Sequence, residues 1–347
     1  PRIIDDIAPL IKPDDPAFDY LDGQRSLMAM PHYDRGVGLN MVVTMCSRPA
    51  AYDAEQFPER FWISSLFGRA TQNLVLSEEL KQAYEIVERE LKVVADIQRS
   101  LLPRSLPSIP GLELAAHYQT SQWAGGDYYD FFELPEGRWG VLIADVSGHG
   151  TPAAVMMAIL HSLAHGHPGH PEPPSVLLEH VNRRLSAWYT VDNEVFVTAF
   201  YGIYDSALRQ FTYSCAGHNP PLLKRCSQGH VETLEEVGGP PLGLFEEVTY
   251  AQATVTLRPG DTLVLYTDGV TEAMDSRNQQ FGVDRLNKIM TRCELDAAGI
   301  RDEILRALDR FTNGAPAHDD RTLLVAKVSS AVACSQQRTI PDDFSPR

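Results

Sequence analysis

The stretch Ile143-Ala144-Asp145-Val146-Ser147-Gly148-His149-Gly150 decides how the rest of this chain is read. Before it runs an apolar segment, from Trp139 onward, that reads as a buried strand. The strand stops at an aspartate, and the two glycines that follow open backbone conformations closed to other residues. The design recurs in Leu263-Val264-Leu265-Tyr266-Thr267-Asp268-Gly269. Gly125-Gly126-Asp127-Tyr128-Tyr129-Asp130 sets Asp127 between a glycine pair and a strand, and His318-Asp319-Asp320-Arg321-Thr322 leads into the apolar Leu323-Leu324-Val325. Four separate elements thus carry carboxylates to strand ends, where rigid backbone fixes their position.

An Asp-Gly pair by itself is an ordinary turn. Four such ends in one block argue for a shared purpose, because carboxylates gathered in a small volume repel one another unless protons or cations intervene. Mg²⁺ and Mn²⁺ prefer oxygen ligands and retain coordinated water. Two such ions can activate a water and clamp the oxygens of an in-line displacement, which suits the hydrolysis of phosphate esters.

Around these ends the pattern predicts strands at 113–119, 128–134, 139–146, 195–204, 210–215, 251–257, 261–266 and 322–328. Helices are expected at 151–165, 175–189, 283–290 and 296–311. Strands that mostly follow strands, with helices in pairs, favour an α+β arrangement over a doubly wound parallel sheet.

Residues 90–328 resemble the SpoIIE/RsbU branch of the PPM family of metal-dependent serine/threonine protein phosphatases. The resemblance rests on the four aspartate segments together with Ile97-Gln98-Arg99-Ser100-Leu101-Leu102-Pro103, Cys215-Ala216-Gly217-His218-Asn219-Pro220-Pro221 and Pro241-Leu242-Gly243, in the family's order. It implies a sandwich of two antiparallel β-sheets flanked by helix pairs, with a site for two or three Mn²⁺ or Mg²⁺ ions. It implies that Asp145 bridges the metals, assisted by the Val146 carbonyl, that Asp268 and Asp319 hold one of them, and that Asp127 orients water. His149 is expected to stabilise its turn or to donate a proton to the leaving oxygen, and Asp320 to support a ligand or simply to face solvent. The implied reaction is hydrolysis of phosphoserine or phosphothreonine by direct attack of activated water, and the implied partner is a STAS-type anti-sigma-factor antagonist. A non-catalytic scaffold with a phosphatase-like domain and a hydrolase of small phosphoesters are the alternatives.

Ahead of this block, Arg25-Ser26-Leu27-Met28-Ala29-Met30-Pro31, a buried strand at 38–45 and a helix at 57–76 resemble the closing half of a GAF sensor domain. From Leu80 to Leu101, the residues Leu80, Tyr84, Val87, Leu91, Val94, Gln98 and Leu101 recur at three and four, as in a coiled-coil seam. A parallel homodimer through this helix is one reading, and an amphipathic helix packed on its own domain is the other. The expected organisation is a partial GAF-like region at 1–76, a linker helix at 77–103, a phosphatase domain at 104–328 and a polar tail at 329–347.

With 44% hydrophobic and 22% charged residues the chain has the makeup of a globular protein, and its 347 residues suggest about two domains. A net charge of −16 argues against nucleic acid and against an anionic membrane surface. Five scattered cysteines without a CxxC pair suggest a reducing compartment. The longest apolar run, 153–160, falls short of the roughly 20 residues of a membrane span, and the first residues lack a signal-peptide pattern; a cytoplasmic location is expected. His161, His165, His167 and His170 suggest a metal tract, but no Glu follows His161 as in a zincin and prolines interrupt the remainder, so zinc is not expected there. Ser147 and Ser214 lack a GxSxG setting, and Gly238-Gly239-Pro240-Pro241-Leu242-Gly243 lacks a Walker lysine.

Overall fold

The computed structural model describes residues 1–34, 37–190, 195–291 and 294–329. The chain divides into two compact units, Pro1–Glu88 and Arg89–Arg347. In chain order the first contains β1 (Arg2–Ile4), α1 (Phe18–Leu21), β2 (Ser26–Asp34) and β3 (Val37–Cys46), joined as an antiparallel sheet β1-β2-β3. The helix α2 (Phe57–Leu101) follows and supplies both units. No proline or glycine occurs between Arg69 and Leu102, so the helices expected at 57–76 and 77–103 are one element, stopping two residues before Pro103.

In the first unit Met28 and Met30 on β2 are buried with Ile7, and His32 bonds Ser64 of α2 through Nε2 and Oγ at 2.9 Å. Gly68 admits the His32 ring, since a Cβ there would sit 2.8 Å from it. β3 forms where a strand is expected but is not buried: Met41, Val43 and Met45 are exposed and alternate with half-buried residues. Such alternation marks a strand with one covered face.

The second unit continues with β4 (Leu112–Gln119), β5 (Tyr128–Leu134), β6 (Arg138–Val146), α3 (Thr151–His165), α4 (Pro174–Leu185), β7 (Val197–Asp205), β8 (Gln210–Ala216), β9 (Leu222–Arg225), β10 (His230–Thr233), β11 (Ala253–Thr256), β12 (Thr262–Tyr266), α5 (Asp268–Thr271), α6 (Val283–Met290), α7 (Ala297–Thr312) and β13 (Arg321–Val328). The strands form two five-stranded antiparallel sheets, β10-β9-β12-β13-β4 and β11-β8-β7-β6-β5. Their inner faces share one core, with Phe131, Val141, Tyr204 and Phe211 of one sheet against Leu114, Leu263, Leu324 and Ala326 of the other. Helices α3 and α4 cover the sheet that contains β5, while α6 and α7 cover its partner. This is the expected α+β sandwich. The hairpin β9–β10 escapes the sequence pattern because its strands are four residues long and Lys224, Arg225 and His230 break the apolar run. Past Ser329 the expected tail lies outside the described residues, as do Cys293 and Cys334.

The α2 seam does not continue to Leu101 as an exposed stripe. Leu80, Tyr84 and Val87 are exposed, but Gln98 is buried and its side chain grips Gly125: Nε2 donates to the Gly125 carbonyl at 2.5 Å and Oε1 accepts from the Gly125 N–H at 3.0 Å. At the end of α2 the helix is therefore packed on its own unit, with Gln98 as the anchor. Gln98→Leu keeps the bulk but leaves two buried backbone groups unpaired, at a cost of about 1–3 kcal/mol each. The urea midpoint of the second unit is expected to fall, and Gln98→Glu, which cannot donate when ionised, is expected to restore less than half of the loss.

Candidate metal centre

Each aspartate arrives from a different element. Asp127 precedes β5, Asp145 is the penultimate residue of β6, Asp268 opens α5 directly after β12, and Asp319 stands just ahead of β13. Because β6, β12 and β13 are central strands of the two sheets, their ends cannot shift without disturbing both ladders.

Asp127 is the most constrained. It is 1% exposed, and its Oδ2 accepts from Thr267 Oγ1 at 2.8 Å and from Thr322 Oγ1 at 2.6 Å. The two threonines are themselves cross-tied, since the Thr322 N–H donates to Thr267 Oγ1 at 2.9 Å and the Thr267 N–H to the Thr322 carbonyl. The second oxygen, Oδ1, is buried without a hydrogen-bond partner. A buried acceptor left open in this way needs a partner.

Asp320 is buried, which excludes the solvated role weighed for it. Its Oδ1 accepts from the Ser121 N–H at 2.7 Å and from Ser121 Oγ at 3.1 Å, and its Oδ2 accepts from the Gly126 N–H at 2.6 Å. It brackets the loop that presents Asp127. The bracket requires glycine on both sides: a Cβ on Gly125 would lie 2.0 Å from Asp320 Oδ2, and one on Gly269 would lie 1.9 Å from the Asp320 carbonyl oxygen. Asp319 Oδ1 accepts from the Asp320 N–H at 2.8 Å.

The electrostatics are those of crowded like charges. Burial, then Asp127, Asp268, Asp319 and Asp320, push the Asp145 carboxyl up to about 9. Burial and Asp319 raise Asp268 to about 6. Asp127 is raised well above the usual carboxylate range, chiefly by burial and against the opposing hydrogen bond from Thr322. Behind Asp145, its cross-strand neighbour Thr198 bonds His218 Nδ1 at 2.8 Å, and burial drives this imidazole down to about 4, keeping it neutral. His149 is exposed and its Nδ1 meets Gln122 Nε2 at 3.0 Å, a bond that ties the turn in place.

The donor set Asp127, Asp145, Asp268, Asp319 and the Val146 carbonyl is all oxygen, and together with the open Oδ1 and the raised carboxyls it fits hard divalent ions such as Mn²⁺ or Mg²⁺. The aspartates stand apart rather than meeting at one point. Among the described residues, the group whose ligand atoms all lie within 4.8 Å of one another is Asp130, His161 and His165. Thr267, Thr322 and Gln98 were absent from the sequence-derived site. Both threonines sit inside the quoted aspartate motifs, but β-branched residues at strand ends read as sheet formers.

A family model described as "Stage II sporulation protein E (SpoIIE)" matches residues 135–329. The chain is similar to Phosphoserine phosphatase RsbU of Bacillus subtilis (strain 168), with 30% identity over 257 residues that cover 72% of this chain and 73% of that protein. Phosphoserine phosphatase RsbP of the same organism is 27% identical over 243 residues, 70% of this chain and 58% of RsbP. Among solved structures, the SiaA-PP2C domain of Pseudomonas aeruginosa superposes with a TM-score of 0.62 at 22% identity, covering 72% of this chain and 99% of that domain, a likeness of fold.

The raised carboxyls give a pH signature. Without divalent ions, Asp145 keeps its proton in the folded state up to about 9 but loses it near 3.8 when unfolded. The unfolded state therefore binds fewer protons across that interval, and stability falls as pH rises through it. In chelator, Tm is expected to decline from about pH 5 to about pH 9, the steepest share belonging to Asp145. Asp145→Asn is expected to flatten the decline and raise Tm at about pH 8, as followed by scanning calorimetry.

Proposed function

This chain belongs to the SpoIIE family, and from that membership together with the carboxylate geometry we propose that it is a metal-dependent protein phosphatase acting on phosphoserine or phosphothreonine of a partner protein. The observation that carries the reading is the set of four carboxyl side chains held at strand ends, with Asp127 Oδ1 open and burial raising the Asp127 and Asp145 carboxyls.

In this reading Asp145 and the Val146 carbonyl would hold the ions together with Asp268 and Asp319, and Asp127 would serve the water side of the site. Bound Mn²⁺ or Mg²⁺ supplies Lewis-acid polarisation of the phosphoryl oxygens and lowers the pKa of water. The chain's own residues position the reactants. Thr267 and Thr322 lock Asp127 Oδ2, so that Oδ1 accepts from the attacking water in one orientation. Asp320, through Ser121 and Gly126, stops the loop from retreating under the repulsion of its neighbours. Water attacks phosphorus directly and the seryl or threonyl oxygen departs, with no side chain phosphorylated on the way.

The partner we infer is a phosphorylated STAS-type regulatory protein of a sigma-factor circuit, in keeping with the likeness to RsbU. Residues 104–328 are read as the catalytic domain, and 1–76 as a GAF-like sensing region. Leu80, Tyr84 and Val87 present an exposed apolar face of α2 that a second copy of the chain would bury in a homodimer. Among the described residues no helix is long and apolar enough to cross a membrane, and we infer a cytoplasmic setting.

Release of phosphate from a phosphoserine STAS protein is expected to require Mn²⁺ or Mg²⁺. Asp145→Asn and Asp268→Asn are each expected to lower kcat/KM by more than about 100-fold while the chain stays folded. Undiminished turnover in both variants, or full turnover in chelator, would overturn the reading. Equal kcat/KM on free phosphoserine would point instead to a hydrolase of small phosphoesters.

A further inference from the structure

The strand β5 turns two faces in two directions. Tyr129 and Phe131 pack together, and Phe131 reaches the space between the sheets, whereas Tyr128, Asp130 and Phe132 face the helix α3. There Asp130 meets His161 and His165, which stand one turn apart on α3 and so share a face. His165 Nε2 lies 2.7 Å from Asp130 Oδ2, His161 Nδ1 lies 3.8 Å from the same oxygen, and the two imidazole centroids are 4.4 Å apart.

We propose that Asp130, His161 and His165 form a binding site for a single borderline transition-metal ion, Zn²⁺ or a close analogue, distinct from the aspartate centre and independent of the phosphatase reading. Two imidazoles and one carboxylate, with the fourth position left to water, are a familiar ligand set for this class of ion. Ligand atoms about 2.0–2.2 Å from one tetrahedral ion stand roughly 3.3–3.6 Å apart, so the pair at 2.7 Å would open and the pair at 3.8 Å would close, each by less than about 1 Å, to seat it. The supporting shell is already built. Asp130 Oδ1 accepts from the Phe131 N–H at 2.7 Å, which turns Oδ2 towards the histidines, and Tyr128 Oη donates to Oδ2 at 2.5 Å while lying 2.8 Å from His161 Nδ1, a contact that the ion would replace.

Burial and Asp130 hold the Tyr128 phenol protonated, so it acts as a donor and not as a ligand. Burial, then the neighbouring His165, lower the His161 pKa and keep its ring neutral, the form that binds metal. His161 and Asp130 are largely enclosed, while the His165 side chain is 46% exposed and leaves an entry path. Sequence reading dismissed these histidines because no Glu follows His161 and prolines interrupt the tract, whereas the carboxylate beside them comes from a strand. A bound ion would pin α3 to β5, the edge strand of its sheet.

The test uses tag-free full-length protein carrying Asp145→Asn and Asp268→Asn, so that the carboxylate centre does not compete, titrated with Co²⁺. The expected result is one equivalent of Co²⁺ with the visible absorption of four-coordinate nitrogen and oxygen ligation, bleached by one equivalent of Zn²⁺. Adding His165→Gln, at a half-exposed position that tolerates substitution, is expected to weaken the apparent affinity by at least about 10–100-fold, whereas His167→Gln leaves it unchanged. Absence of that absorption would show a hydrogen-bonded clamp with no metal, and binding undiminished in both the His165→Gln and His161→Gln variants would place the ion elsewhere; either result overturns the proposal.

Discussion

Mutual repulsion among carboxylates at the strand ends is the constraint on which the rest of the second unit depends. Asp145 stands within the field of Asp127, Asp268, Asp319 and Asp320, and burial strips away the solvent that would screen them. Left alone, such a group either takes up protons or pushes its loops apart. The fold prevents the second outcome with neutral and backbone donors: two threonine hydroxyls on Asp127, three donors on Asp320, and the Gln98 amide on Gly125. None of these brings a positive charge, so without cations only protons relieve the repulsion. That is the condition under which cations are the natural partners.

The same bracing explains why the sandwich suits this chemistry. Asp127 and the threonines that hold it come from opposite sheets, so the packing of one sheet on the other sets the distance between the carboxylate and its donors. The close approach of Asp320 to Gly125 and Gly269 would fail with any side chain at either position. An acidic protein of net charge −16 acquires, in the proposed reading, one local positive centre for an anionic phosphate, and complementary contacts between proteins must supply the remaining recognition.

Much of this was legible in the sequence because the signals were local. Apolar runs ending in Asp145 and Asp268, and the helices at 151–165 and 283–290, could be read from period and punctuation alone. The parts that were missed depend on contacts distant in sequence. Gln98 reads as a flaw in a coiled-coil seam until Gly125 is seen beside it, and Asp320 reads as a spare acid until Ser121 and Gly126 close on it. Asp130 carried no signal of its own, because its partners lie on a helix that only the packing of α3 on the sheet brings near. The strand β3 was read as buried from its apolar run, which cannot report that only one face of its sheet is covered.

The most direct test of the central claim is calorimetric titration of the full chain with Mn²⁺ at about pH 8, repeated in buffers of different protonation enthalpy. If repulsion is what the ions relieve, two ions bind per chain and displace at least one proton, because Asp145, with its carboxyl pushed up to about 9, and Asp127, raised well above the usual range by burial, hold protons in their absence. The Asp145→Asn chain should then lose the Asp145 share of the proton release and most of the affinity. Mn²⁺ uptake without proton release, or uptake unaltered by Asp145→Asn, would contradict the account.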